Sequence, residues 1–191
     1  MLAFLEDPGA ANFLGPVLKQ QIVAGRKVRL YAEGAGAAQL DGMEIAYSPA
    51  SEMGSTDDLV SHTEPWAILA GTSENPDTPA FNLIATARQA GIPSIAGVDS
   101  AANADYRFRG HGDAPLTHAP DFLLLTDDLA RRNFMVLGFP EDRIVVCGHP
   151  YYDTVRQAGA AMNKAGRKVM RARLFPDAGA RCIIVFLGEI S

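Results

Sequence analysis

The residues of this chain best suited to chemistry fall into a few short polar clusters. Glu6-Asp7-Pro8-Gly9, with Asn12 close behind, is the first. An ionised Asp7 only accepts hydrogen bonds, so it can take the proton of an attacking hydroxyl. Gly9 and Asn12 stand just ahead of a helical pattern, where free amides and the helix dipole favour a sugar hydroxyl, carboxylate or phosphate. The alternative is that Asp7 or Asn12 simply caps that helix. Gly71-Thr72-Ser73-Glu74-Asn75 is denser in hydroxyls, amides and acids than a turn requires. Thr72 and Ser73 offer hydroxyls to a ligand, and Glu74 reads as a general acid or base, a sugar-hydroxyl acceptor or a solvated loop acid. Asp99 ends an apolar run and has two readings, an acid–base group or a cap for the turn through Asn103. Arg107 lies in the polar stretch beyond it as a ligand contact. His149, between Gly148 and Pro150, either meets a ligand or its phosphate or forms a turn.

Other chemistries lack their residues. No HxxxH, HExxH or Cys/His cluster occurs, so no metal is expected. Neither a GxSxG elbow nor a GxxxxGK[ST] phosphate loop is present. Gly34-Ala35-Gly36 is a partial dinucleotide fingerprint with Gln39 in place of the third glycine, so no cofactor is expected either. Cys147 and Cys182 make no CxxC pair and read as buried free thiols in a reducing compartment.

The elements that would position these clusters alternate in type. Apolar, β-rich runs at residues 2–5, 28–32, 44–47, 67–70, 94–98, 122–125 and 144–147 predict strands. Leu14, Val17, Leu18 and Ile22 recur at helical spacing within residues 13–23, and Gly25 ends that helix. A short helix follows Gly34, and the polar residues 51–62 predict another. Thr78-Pro79 starts a helix that Gly91 ends, because Thr caps free amides and Pro suits the first helical position. Asp127-Asp128 opens a further helix to Leu137, and residues 164–174 form a basic one, read as a solvated face. Strand and helix in repeated succession call for an α/β doubly wound parallel sheet, Rossmann-like, with ligands at the carboxyl ends of its strands. Residues 100–120 form a long polar loop at that edge, expected to close over a ligand.

The 191 residues carry a net charge of −5, which disfavours nucleic acid as a partner. The longest apolar run, Cys182 to Leu187, is six residues, against the ~20 of a membrane span. With no signal-peptide pattern at the start, a cytoplasmic protein is expected.

Several stretches resemble a known family. They are Ile68-Leu69-Ala70-Gly71-Thr72-Ser73, then Gly91-Ile92-Pro93-Ser94-Ile95 with Asp99 and Tyr106-Arg107-Phe108. Ala119-Pro120-Asp121, Gly138-Phe139-Pro140 with Arg143-Ile144, and the run from Val145 through Pro150 to Asp153 continue the pattern. Together they resemble the N-terminal domain of GT-B-type glycosyltransferases and of the related hydrolysing UDP-N-acetylglucosamine 2-epimerases. The resemblance implies the N-terminal, acceptor-binding half of a GT-B fold acting on a nucleotide sugar and a sugar or polyol acceptor, inactive alone. It places the family's first loop on Asp7 to Asn12 and the epimerase's acidic positions near Ser73 or Glu74 and on Asp99. Joined to the residues' own chemistry, this makes Asp7, Glu74 and Asp99 the expected catalytic positions and Gly9, Asn12, Thr72, Ser73, Arg107 and His149 the substrate-binding ones. The epimerase Gly-Asp-Thr motif stands here as Gly71-Thr72-Ser73, and its His-Val-Glu-Ala-Gly stretch is absent. The transferase reading therefore leads, with a 2-epimerase-like enzyme or a non-enzymatic sugar- or anion-binding module as alternatives. On the same reading residues 1–174 form the domain, 175–181 a linker and 182–191 the first strand of an absent second domain. That strand could pair two copies of the chain into a homodimer.

Overall fold

In a computed structural model of the protein, which describes residues 1–179 and 181–184, β1 (Leu2–Leu5) buries every side chain. Its alternation sends Leu2 and Phe4 into one apolar cluster and Ala3 and Leu5 into another. A strand whose successive side chains face opposite cores must be covered on both faces. Helix α1 (Pro8–Val23) follows, then β2 (Arg29–Ala32), α2 (Gly34–Gly42), β3 (Ser48–Pro49), α3 (Thr56–Thr63) and β4 (Ile68–Gly71). Next come α4 (Pro79–Ala90), β5 (Ser94–Val98), β6 (Phe122–Leu125), α5 (Asp128–Val136) and β7 (Ile144–Val146).

Among the described residues the strands form one seven-stranded sheet in the order β3-β2-β1-β4-β5-β6-β7, with every pairing parallel. This is the expected doubly wound Rossmann-like class. Phe13, Leu14 and Leu18 of α1 and Leu40 of α2 cover one face. Leu59 and Val60 of α3 with Leu83, Ile84 and Ala87 of α4 cover the other. A third cluster joins Val98, Leu123 and Leu125 to Phe134 of α5 and Phe108 of the long loop.

Several elements depart from their expected bounds. Helix α1 starts at Pro8 rather than at residue 13, because Asp7 accepts from the Gly9 and Ala10 amides and Pro8 suits the first turn. Gly9 and Asn12 therefore lie inside the helix. The third strand is Ser48–Pro49 rather than residues 44–47. Glu44 takes a left-handed φ of 58° and the Ile45 amide donates back to Leu40 O, so that stretch ends α2. Both cysteines are exposed rather than buried. Cys147 follows β7, the edge strand of the sheet.

Contacts cluster into two compact units, Met1–Tyr151 and Tyr152 onward. The second holds α6 (Tyr151–Ala161) from its second residue on, a helix not anticipated from the sequence, and α7 (Lys164–Leu174), which has its expected bounds. Helix α6 buries none of its residues. Asn163 caps α7, and Arg167, Lys168 and Arg173 are exposed, as a solvated face requires. Of the strand expected over residues 182–188, residues 182–184 have no strand conformation, and 185–188 lie outside the described residues.

Candidate functional site

The chain leaves β1 toward β2 on one side and returns to β4 on the other, so the loops after β1 and β4 diverge. A crevice opens at such a reversal, at the carboxyl ends of the strands. Glu6 and Asp7 leave β1 there, and Thr72 and Ser73 leave β4.

Two neighbouring arrangements fill this edge. One is a groove of about 490 Å³ lined by Glu6, Asp7, Glu33, Ser73, Glu74 and Asn75. The Ser73 hydroxyl donates to Glu6 Oε1, and Asn75 Nδ2 donates to Glu6 Oε2 at 3.2 Å. Glu74 Oε1 accepts from Asn103 Nδ2 at 2.7 Å, tying the β4–α4 turn to the long loop. Gly36 sets the wall of this edge: its amide donates to Glu6 O at 2.7 Å, and a Cβ there would fall 2.6 Å from the Glu6 carbonyl carbon. The Gly34-Ala35-Gly36 stretch thus serves close backbone approach.

The other arrangement centres on Asp99. A Cβ at Gly9 would lie 2.0 Å from Asp99 Oδ2 and 3.0 Å from Asp7 Oδ1, so the first turn of α1 is packed onto both carboxylates. Arg107 Nη1 stands 3.9 Å from Asp99 Oδ1, with the Arg107 side chain 8% exposed. Asp99 Oδ1 and Arg107 Nε are buried without hydrogen-bond partners among the described residues, although buried polar atoms are normally paired. Burial raises the Asp99 pKa; Arg107 opposes the rise, Asp7 adds to it and His149 opposes it. His149 sits edge-on to Phe13 at 5.2 Å. Burial lowers its pKa, and Asp99 works against that shift. The two shifts run in opposite directions, Asp99 upward and His149 downward.

Of the expected site residues, Asp7, Gly9, Asp99, Arg107 and His149 come together. Ser73 and Glu74 lie in the adjoining groove, which Asp7 also lines. Thr72 is 3% exposed and donates to Gly97 O at 3.0 Å, so its hydroxyl is committed to β5. Asn12 Oδ1 accepts from Gln39 Nε2 at 2.9 Å and ties α1 to α2. Asp7 takes the capping role, accepting from Gly9 N at 2.8 Å and Ala10 N at 3.2 Å. Glu6 was not singled out by sequence reasoning. Its only signal was an acid directly after a buried strand, and its partners come from the turn after β4, more than sixty residues away. The long loop is anchored: Phe108 is 1% exposed, His118 stacks on Phe81 at 4.3 Å, and Asn133 Nδ2 donates to Ala101 O at 2.8 Å.

No family model matches the chain, and no curated protein matches it. Solved structures do. A UDP-GlcNAc 2-epimerase from Neisseria meningitidis, bound to UDP-GlcNAc, superposes with a TM-score of 0.62 at 14% identity over 92% of this chain and 53% of that one. The UDP-GlcNAc 2-epimerase of Methanocaldococcus jannaschii gives 0.58 at 12% identity over 90% and 52%. The S. aureus MnaA–UDP structure gives 0.58 at 11% over 78% and 43%. The chain shares the α/β Rossmann-like fold of the half of those structures that it covers. It spans about half the length of the structures it matches. Among the described residues no helix is long and apolar enough to cross a membrane.

Proposed function

We propose that this chain is the sugar-binding, acceptor-side half of an enzyme that processes nucleotide sugars, with glycosyl transfer as the reaction. The observation that carries the reading is Asp99, a half-buried carboxylate at the ligand edge whose Oδ1 accepts no hydrogen bond among the described residues and faces Arg107 at 3.9 Å. Burial that raises its pKa makes the ionised form a stronger base than an exposed aspartate. In this reading Asp99 takes the proton of an acceptor hydroxyl as that oxygen attacks the anomeric carbon and the nucleoside diphosphate leaves. Arg107 balances the charge left at the site, and His149 relays the proton outward. Glu6, Ser73 and Glu74 hold sugar hydroxyls, and Asp7 and Gly9 fix α1 against Asp99. Cytoplasmic residence, a nucleotide-holding second half beyond a linker at 175–181, and pairing of copies through residues 182–191 belong to the same proposal.

Epimerisation at C2 is the second reading, favoured by the opposed shifts of Asp99 and His149. Against it, Thr72 occupies a place where the epimerase motif has an acid, and its hydroxyl is tied to Gly97 O.

Saturation-transfer NMR of the chain with UDP-N-acetylglucosamine tests the proposal. Saturation should reach the sugar ring protons and largely bypass the uridine. Saturation of the uridine alone would contradict it. With both halves present, reaction in heavy water separates the chemistries, since epimerisation places solvent deuterium at C2 and transfer does not.

A further inference from the structure

A second groove, of about 530 Å³, opens at the opposite edge of the sheet beside the starts of β1 and β2, and Lys27, Arg29, His62, Glu64, Pro65 and Trp66 line it. Trp66 is the chain's single tryptophan, and 59% of it is exposed. An indole is among the most favourable side chains to bury, so a rigidly held exposed one is an interaction surface in waiting.

The backbone holds Trp66 in place from both sides. Glu64 ends α3 with φ 42° and ψ 56°, a left-handed conformation that costs a non-glycine residue about 1 kcal/mol or more. Its amide donates to Val60 O at 2.9 Å. Buried Pro65 follows, and its ring fixes φ. Directly after Trp66, Ala67 O accepts from the Leu2 amide at 3.1 Å, and the Ile68 amide donates to Pro93 O at 2.9 Å. The indole therefore sits on a segment with little freedom to fold it inward.

The charge beside it reverses that of the whole molecule. The chain carries −5, yet exposed Lys27 and Arg29 form no ion pair among the described residues. His62 is held through Nδ1 by Asp58 O at 2.7 Å. Glu64 is the one acid of the lining. Two uncommitted cations beside a fixed aromatic platform match a ring compound that bears an anion.

We propose that this groove binds an anionic saccharide: the sugar ring stacks on Trp66, and Lys27 and Arg29 hold its phosphate or carboxylate. The site lies across the sheet from the Asp99 cluster and does not rest on the function proposed above.

Because Trp66 is the only tryptophan, fluorescence excited selectively at tryptophan, beyond tyrosine absorption, reports on this groove. The full chain is titrated with glucose 1-phosphate, glucuronate, neutral glucose, uridine monophosphate and inorganic phosphate. A saturable change with glucose 1-phosphate and glucuronate is expected, weakened about tenfold or more in Lys27→Ala/Arg29→Ala, whose circular dichroism should match the parent. Arg88→Ala, in a separate cleft at the same edge, should leave the titration unchanged. Whichever of the two sugars binds more tightly identifies the preferred anion, phosphate or carboxylate. No response to either sugar, equal binding of neutral glucose, tighter binding of uridine monophosphate, or equal binding of inorganic phosphate (an adventitious ion only) would each overturn the proposal.

Discussion

Gly9 and Asp99 touch: the first turn of α1 rests on the Asp99 carboxylate so closely that a Cβ at residue 9 would fall 2.0 Å from Oδ2. No residue with a side chain fits there unless the carboxylate or the helix moves. Gly9→Ala should therefore displace Asp99, costing about 1–3 kcal/mol of stability as other overpacked sites do. Thermal unfolding and amide NMR shifts at Asp99 are the measurements. A variant as stable as the parent with unshifted Asp99 resonances would show that the contact is looser than this.

Asp99 should also govern how stability varies with pH. Its pKa is raised in the fold by burial above the ordinary 3.8, so the folded state holds the proton more tightly than the unfolded chain. The stabilisation this gives is fully present below 3.8 and is lost as pH rises through the raised value. Asp99→Asn removes the ionisation, so it should gain stability relative to the parent as pH rises from about 3 to neutrality. Denaturation midpoints of both proteins across that range give the slope. A relative loss on raising pH would mean that Arg107 outweighs burial.

Thr72 and Glu6 should separate structure from binding. Thr72→Val keeps the shape but loses the hydrogen bond to Gly97 O, costing about 1 kcal/mol or more because a buried carbonyl loses its partner. Sugar binding should be unaffected once folding is corrected for. Glu6→Gln leaves a polar side chain for Ser73 and Asn75 and should weaken sugar binding about tenfold with little change in stability. Sugar binding that follows Thr72 rather than Glu6 would reverse the assignment.

The long loop should depend on Phe108, which is 1% exposed and packs 5.9 Å from the Phe134 ring. Phe108→Ala should destabilise the fold by about 3–5 kcal/mol and speed hydrogen exchange over residues 100–120. Exchange unchanged from the parent would mean that the other anchors hold the loop without it.

Local signals carried much of the fold. The apolar run of β1 and the Thr78-Pro79 and Gly91 ends of α4 are written in adjacent residues, and the structure places them as expected. Where two local signals compete, the pattern misleads. Residues 44–47 look β-rich, but Glu44 and Ile45 close the end of α2 through a bond to Leu40 O. Helix α1 starts early because the Asp7 cap outweighs the missing apolar spacing of its first turn. The site was legible in its residue types more than in its contacts. Asp99 and His149 follow strands, but the packing of Gly9 onto Asp99 and the bond from Ser73 to Glu6 arise from sheet register, which joins residues distant in sequence.

In the proposed function a sugar sits at the carboxyl ends of β1, β4 and β5 against Asp99. Mapping amide shifts of the chain during titration with N-acetylglucosamine 1-phosphate tests it most directly. Shifts should concentrate at Glu6, Gly9, Ser73 and Asp99 and collapse in Asp99→Asn, apart from any response near Trp66. Shifts absent from those four residues, or unchanged when Asp99 becomes Asn, would contradict the account.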